Sequence, residues 1–199
     1  MSSSGGTALI GPNAVLQLLP VLDESLGIEA RRSLLAAAGL ETLPDGTEMI
    51  DEAPVARLHQ ALRREVPVHA ARIARDAGTA TGDYVMTHRI PAPARAILKL
   101  TPAYIASRML AKAIAKHAWT FAGSGTFRVV SLGPLVFEIV DNPVIRGERA
   151  EVPLCDWHAA VFERLYRRLV HDDYRAVETA CAAAGDDACR FELRREPGA

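Results

Sequence analysis

The stretch YRAVETACAAAGDDACRFELR, residues 174–194, decides the fold of this chain. Residues 174–181 and 189–194 have the alternating side chains that are typical of β-strands. The segment between them, 182–187, is rich in small and turn-forming residues, with Gly185 at its centre. The sequence therefore predicts a C-terminal antiparallel hairpin that brings two cysteines opposite one another.

The residues before this hairpin predict more of the same sheet and one covering helix. Phe127–Val130 and Leu135–Val140 flank the turn dipeptide Gly133-Pro134 and predict a second hairpin. Val144-Ile145 is expected to continue the sheet. From Asp156 to Val170, apolar residues recur at helical spacing, which predicts an amphipathic helix.

The first 120 residues have helical periodicity instead. Helices are predicted over residues 13–19, 28–40, 54–64, 68–76 and 92–117, the last interrupted at Thr101-Pro102. Residues 78–82 contain two glycines and are expected to form a loop. The predicted fold class is α+β, with a helical N-terminal part packed against an antiparallel sheet and a C-terminal hairpin.

Composition excludes several classes of protein. The chain has 199 residues, of which 49% are hydrophobic, and 23 Lys+Arg stand against 24 Asp+Glu. These values exclude a disordered chain and argue against a nucleic-acid binder, which carries a basic excess. Three cysteines are too few for a secreted disulfide scaffold. No secretory signal is recognised at the start, and no apolar run approaches the roughly 20 residues of a membrane span. We therefore expect a cytoplasmic protein.

The three cysteines predict a metal site in the C-terminal third. Cys155 opens the predicted helix, and Cys181 and Cys189 lie in the predicted hairpin. Three converging thiolates suit zinc and need one more ligand. Glu138 is the first choice for that ligand, and Asp141 and His158 are the alternatives. The competing interpretations are three buried thiols that behave as small hydrophobes, or a Cys181–Cys189 disulfide.

Charge is unevenly distributed along the chain. No acidic residue occurs between Asp83 and Glu138, whereas seven basic residues do. The competing interpretations are a solvated basic face and a surface for an anion: a tetrapyrrole carboxylate, an acidic partner or an anionic membrane. Apolar and aromatic neighbours could cover a flat macrocycle, and His88 or His117 could bind its Mg. The predicted ligand-binding residues are Tyr84, Met86, His88, Arg89, Tyr104, Arg108, Met109, Lys112, His117 and Trp119.

Two motifs carry a resemblance to a known family. Pro153-Leu154-Cys155 precedes an ending of the form Glu-x-x-Cys…Gly-x-x-x-Cys-x-Phe, and this ending resembles that of the 4-vinyl-reductase domain family. Its positions are Glu178, Cys181, Gly185, Cys189 and Phe191. The segment YVMTHRIPAP, residues 84–93, resembles the J-type bacteriochlorophyll-biosynthesis proteins of purple phototrophic bacteria.

The resemblance implies a fold similar to the Bet3-like domains of trafficking complexes, and a homodimer. It divides the chain into a flexible start, 1–11, an N-terminal helical segment, 12–50, and a 4-vinyl-reductase-like domain, 51–196. Family relatives that serve as effector-sensing domains hold zinc through three Cys and a Glu. The three cysteines map onto Cys155, Cys181 and Cys189, and Glu138 is retained as the carboxylate.

The family name implies reduction of a vinyl group, which requires a hydride or electron donor. No Gly-x-Gly-x-x-Gly follows a predicted strand, and three cysteines do not complete an iron–sulfur cluster. The leading hypothesis is therefore a non-catalytic carrier of a Mg-porphyrin or protochlorophyllide-type intermediate, with enzymes of bacteriochlorophyll synthesis and a membrane surface as expected contacts. The alternatives are an 8-vinyl reductase with another donor site, and a small-molecule sensor or scaffold.

Overall fold

The computed structural model describes residues 8–196 of the chain. Its α-helices are α1 (Asn13–Leu16), α2 (Leu18–Leu26), α3 (Ile28–Ala38), α4 (Glu52–Glu65), α5 (Pro67–His88), α6 (Ala92–Leu100), α7 (Ala103–Lys116), α8 (Trp119–Ala122) and α9 (Asp156–Leu169). Its strands are β1 (Leu9–Ile10), β2 (Ile50–Asp51), β3 (Thr126–Leu132), β4 (Leu135–Val140), β5 (Tyr174–Ala180) and β6 (Cys189–Arg195). The predicted α+β class is confirmed.

The four C-terminal strands form an antiparallel sheet in the order β3-β4-β6-β5. Phe137 on β4 lies opposite Phe191 on β6, and both rings are buried against Phe162 of α9. Strands β1 and β2 form a separate two-stranded pairing. Buried apolar residues of the helical part and of the sheet belong to one continuous core. Burial of these side chains holds the two parts together.

The ends of the N-terminal helices follow from local chemistry. The Asp51 side chain accepts a hydrogen bond from the backbone N–H of Ala53 at 2.9 Å and caps α4. Gly39, at φ +70°, ends α3 in the left-handed conformation that glycine adopts without steric cost. Pro20 lies in the first turn of α2, where its missing N–H is tolerated, so it does not disturb the helix.

The structure overturns the predicted loop at residues 78–82. Helix α5 runs without a break through this segment and packs along α9. A Cβ built on Gly78 would lie 2.4 Å from the Trp157 carbonyl oxygen, and one on Gly82 would lie 2.7 Å from Cβ of Arg164. The glycines are therefore spacers that let two helices approach closely, and they do not mark a chain reversal.

This close approach gives a first prediction. Gly78→Ala is expected to lower the free energy of unfolding by about 2 kcal/mol, since overpacking against a backbone carbonyl exceeds alanine's helix-propensity gain. Gly82→Ala is the matched comparison and should cost less, because its nearest neighbour is the Arg164 side chain. Urea denaturation of both variants measures the difference. A Gly78→Ala protein as stable as the wild type would contradict the packing described.

Two further expectations differ from the structure. Val144-Ile145 does not extend the sheet but lies in a short 3-10 helix, Pro143–Ile145, where the Asn142 side chain accepts from the Val144 N–H at 3.2 Å. Within the expected flexible start, Leu9–Ile10 forms β1 and pairs with β2, while residues 1–7 lie outside the described part. The division into an N-terminal segment and a second domain stays a prediction.

The structure also bears on membrane insertion. In the part of the chain from residue 8 to residue 196, every helix falls short of the length and apolar character that crossing a bilayer requires.

Candidate functional site

The three cysteines converge at one end of the four-stranded sheet. Cys155 precedes the first residue of α9, Cys181 follows β5, and Cys189 begins β6. Their sulfur atoms and a carboxylate oxygen of Glu178 all lie within 4.8 Å of one another. We call these four residues the Cys3Glu cluster. The arrangement predicted for the three thiols is therefore present, and the carboxylate comes from β5.

A tight turn brings the two hairpin cysteines together. A short 3-10 helix follows Cys181, and Gly185 at φ +100° then reverses the chain. Asp186 accepts a hydrogen bond from the backbone N–H of Cys181 at 2.8 Å, which fixes the start of the turn. The backbone itself thus places Cys181 and Cys189 side by side.

The sulfur atoms are buried and close to one another. Sγ of Cys155 lies 3.4 Å from Sγ of Cys189, and the Asn142 side-chain amide donates to both sulfurs at 3.3 and 3.8 Å. All three cysteines are free thiols in the fold. Asn142 is a neighbour that the cysteine spacing alone does not reveal, and as an N–H donor it favours negative charge on sulfur.

Glu178 faces the cysteines from β5. One carboxylate oxygen accepts from the Cys155 backbone N–H at 2.7 Å, and the other is buried without a hydrogen-bond partner among residues 8–196. Burial raises the pKa of Glu178 to about 8, and the adjacent Cys181 sulfur adds to this rise. A buried carboxylate oxygen without a donor is costly, so this oxygen marks a position that suits a cation.

The thiols perturb one another strongly. Burial raises the pKa of Cys155 well above its ordinary value, and its sulfur neighbours add to the rise. Although a hydrogen bond from Cys155 opposes the change, Cys181 and burial raise the pKa of Cys189 to about 12. Hydrogen bonds from both other thiols lower the pKa of Cys181. Without a cation, the cluster therefore accommodates one negative sulfur readily and resists a second.

The first-choice fourth ligand, Glu138, was wrong by position. Its carboxylate points to the outer face of the sheet, where it lies 2.8 Å from Nε of Arg190 and 3.8 Å from Arg128. Asp141 is exposed, and His158 is buried with Nε2 3.3 Å from the Phe121 carbonyl oxygen. None of these three residues belongs to the Cys3Glu cluster. The signal for Glu178 was present in the Glu-x-x-Cys motif, because β-strand spacing keeps it near Cys181.

The predicted ligand-binding residues divide into two groups. At the end of α5, the rings of Tyr84 and His88 stack at 4.4 Å, Arg89 is exposed and Met86 is buried. His88 Nδ1 lies 3.1 Å from the Tyr84 carbonyl oxygen, so one ring nitrogen is already engaged. The other group lies on α7 and around the start of α8.

The second group forms an exposed surface. Tyr104 is 65% exposed and Trp119 is 56% exposed. The Arg108 guanidinium lies 6.0 Å from the centre of the Tyr104 ring, within cation–π range. Its remaining members, Met109, Lys112 and His117, are also exposed. These side chains line an open surface, so a pigment here would lie against the protein.

The two best-defined cavities lie elsewhere. The larger, about 400 Å³, is lined by Arg75, Asp156, Glu163 and Arg175, and borders Glu178. The smaller, about 200 Å³, lies between α4 and the Pro143–Ile145 turn. Neither cavity is lined by a predicted ligand-binding residue.

Comparison with known proteins agrees with the C-terminal module. A family model for the 4-vinyl-reductase (V-4-R) domain matches residues 135–195, which contain β4, α9, the C-terminal hairpin and all of the Cys3Glu cluster. The sheet, its covering helix and the cluster thus define the chain as a protein with a 4-vinyl-reductase domain.

Curated relatives narrow the identification. The chain is 53% identical to the bacteriochlorophyll synthase 23 kDa chain of Cereibacter sphaeroides, covering 96% of this chain and 94% of the relative. It is 46% identical to the protein of the same name from Rhodobacter capsulatus, covering 92% and 86%. The chain belongs to the family of the bacteriochlorophyll synthase 23 kDa chain. The resemblance drawn from the two sequence motifs is confirmed.

Solved structures agree with the fold. An H-NOX protein from K. algicida aligns with a TM-score of 0.61 at 12% identity, covering 95% of this chain and 98% of that chain. An H-NOX protein from S. oneidensis aligns with a TM-score of 0.59 at 9% identity, covering 94% and 99%. At such low identities the likeness shows the α+β fold alone.

Proposed function

We propose that this chain acts in bacteriochlorophyll biosynthesis as a non-catalytic carrier, which binds a Mg-porphyrin or protochlorophyllide-type intermediate and passes it to the next enzyme. Family membership carries the first part of this proposal, since two relatives with nearly full-length alignments are named for bacteriochlorophyll synthesis. The carrier role rests on the exposed aromatic and cationic surface of α7 and α8.

That surface has the chemistry that an amphipathic tetrapyrrole requires. Tyr104, Met109 and Trp119 offer apolar contacts to a macrocycle, and Arg108 and Lys112 offer charge to its carboxylates. His117 is exposed at the end of α7, where an imidazole nitrogen suits a Mg ion. An open surface also suits a protein that releases its ligand to a partner.

The Gly123-Ser124-Gly125 turn supports a non-catalytic role. It leads from α8 into β3, the reverse of the strand-to-helix order of a dinucleotide fingerprint. Its Ser124 donates both its N–H and its hydroxyl to the buried Glu52 carboxylate, at 2.7 and 2.6 Å. The turn therefore has a structural use, and it does not favour the reductase alternative.

An absorbance titration with a panel of pathway intermediates tests the carrier role. We expect a shift of the pigment's main band at micromolar protein, larger for the Mg form than for the Mg-free form if His117 binds the metal. Arg108→Gln is expected to weaken binding about tenfold, as for the loss of one charge-assisted contact. Arg149→Gln, at an exposed arginine outside the acid-free segment, is the matched control.

The outcomes separate function from site. If no intermediate changes its spectrum, the carrier proposal fails. If pigment binds equally well to Arg108→Gln and the control, the function stands but its site lies elsewhere, and the Tyr84–His88 stack becomes the next position to vary.

We also propose that the Cys3Glu cluster holds one zinc ion. The donor set fits, because three thiolates and one carboxylate are ordinary zinc ligands and their atoms already lie within 4.8 Å of each other. The unpartnered oxygen of Glu178 would gain a cation. Four protein ligands leave no open position, so the metal's contribution would be structural: it would tie the start of α9 to the C-terminal hairpin.

A further inference from the structure

The surface of α6 and α7 combines apolar exposure with positive charge. Leu100, at the end of α6, is 87% exposed, and Ile97 one turn earlier is 54% exposed. The two-residue connection Thr101-Pro102 then leads into α7, where Ile105 and Met109 are also exposed. Large apolar side chains therefore surround one protruding corner of the fold.

Helical geometry aligns the exposed residues of α7. Ile105, Met109, Lys112 and Lys116 follow each other at intervals of four, three and four residues, which places them on one stripe. The opposite side of α7 packs into the core. The stripe begins apolar beside the corner and ends cationic. We call this stripe, together with Ile97, Lys99 and Leu100, the α6–α7 face.

The charges on this face are not neutralised locally. Lys99, Lys112 and Lys116 are exposed, and within residues 8–196 none forms an ion pair. Residues 84–137 contain no acidic side chain, so the surrounding segment offers no internal counter-charge. A partner that covers this face must be anionic and must also accept Leu, Ile and Met side chains.

We propose that the α6–α7 face docks this protein on an anionic lipid surface. Interfacial helices combine lysines with large apolar residues, whereas lysine is depleted from the cores of protein–protein interfaces. With nine and 14 residues, α6 and α7 are too short to span a bilayer but long enough to lie in its headgroup region. Lysine stems can extend beside the buried apolar side chains and keep their ammonium groups among lipid phosphates. The docking requires no bound pigment.

Vesicle flotation with the pigment-free full-length chain tests this proposal. We expect the protein to float with vesicles of phosphatidylcholine and phosphatidylglycerol, and to remain unbound with phosphatidylcholine alone. Binding should weaken as salt is added, because the attraction of lysines to anionic headgroups is screened. Binding that is equal for both vesicle types, or absent from both, overturns the proposal. The latter result would leave the face to an acidic protein partner.

Two pairs of variants locate the docking surface. Leu100→Ser is expected to weaken vesicle binding about tenfold, since a leucine leaves the lipid interface. Val68→Ser is its control, because Val68 is 86% exposed at the start of α5. Lys99→Glu should weaken binding at least about tenfold, and Arg149→Glu is the matched charge reversal outside the face. If each control loses as much binding as its partner, the assigned surface is wrong.

Fluorescence provides a second readout that does not depend on mutating the face. Trp119 is 56% exposed just beyond α7, whereas Trp157 is buried. Anionic vesicles should shift the emission to shorter wavelength, and Trp119→Phe should remove that shift while leaving the emission of Trp157. An emission spectrum that vesicles leave unchanged in the wild-type protein contradicts docking through this corner.

Discussion

Cys189→Ser is expected to abolish stoichiometric zinc binding and to lower the free energy of unfolding by about 4 kcal/mol. Cys189 is fully buried, and its sulfur lies 3.4 Å from that of Cys155. Serine removes one thiolate ligand, so the Glu178 carboxylate and the two other sulfurs would share a buried site without the compensating cation. In a chain that holds no metal, the same change should cost only about 1 kcal/mol.

Metal analysis of protein purified without added zinc, with urea denaturation of the same samples, measures both effects. The carboxylate offers a matched pair of isosteric variants. Glu178→Gln should weaken zinc binding by at least about tenfold, whereas Glu138→Gln should leave it unchanged, since Glu138 pairs with Arg190 on the outer face. Wild-type protein without zinc, or a Cys189→Ser protein with full zinc content, would falsify the metal assignment.

Mild acid is expected to destabilise the fold through two buried histidines. His59 Nε2 lies 3.1 Å from the Ala14 carbonyl oxygen and must donate its proton to it, and His158 makes a similar contact at 3.3 Å with Phe121. In both rings Nδ1 is buried without a partner among residues 8–196. Burial lowers the pKa of His59 to about 3 and that of His158 to about 4, and the Arg63 charge lowers both.

The sign of the effect follows from these shifts. Above pH 6.5, the ordinary value, both rings are neutral in the folded and unfolded chains, and the full stability is present. As pH falls from 6.5 toward 4, the unfolded chain takes up protons that the folded chain refuses, so stability is lost. Each histidine costs up to about 1.4 kcal/mol per pH unit, or about 4 kcal/mol for the pair by about pH 5.

Urea denaturation at several pH values measures this loss. His59→Gln should reduce the dependence of stability on pH by about half, because one of the two titrating rings is gone. His69→Gln is the matched control, since His69 is exposed at the start of α5. Comparing slopes between variants removes the contributions of other titrating groups. Equal slopes for the wild type and His59→Gln would show that this ring accepts a proton inside the fold.

Most elements of the fold could be predicted because their periodicity is local. The hairpins at residues 126–140 and 174–195 and the helix α9 lie close to their expected positions. Segment 78–82 could not be predicted, because the reason for its glycines lies on α9, about 80 residues further along the chain. A glycine that permits close helix packing and one that turns the chain look the same in a single sequence.

The candidate site was predictable in its thiols and not in its carboxylate. A hairpin about Gly185 is enough to bring Cys181 and Cys189 together, and a helix start is enough to place Cys155. Choosing between Glu138 and Glu178 required the face of the sheet on which each lies. That face depends on the register between β4 and β6, which no local pattern reports.

The exposed apolar residues of α7 illustrate a further limit. Ile105 and Met109 have helical spacing, and this pattern alone does not distinguish a core stripe from a surface stripe. In the structure the core side of α7 is formed by smaller and other apolar residues, and these two point outward. The neighbouring charges decide the difference in hindsight.

The lysines of the α6–α7 face have a consequence for how copies of this protein meet one another. Exposed leucine, isoleucine and methionine side chains would by themselves promote self-association at high concentration. Lys99, Lys112 and Lys116 place like charges on any pair of faces that approach, and at physiological salt this repulsion acts over about 8 Å. The face therefore resists clumping in solution, and the homodimer implied by the family resemblance would have to form through a different side of the molecule.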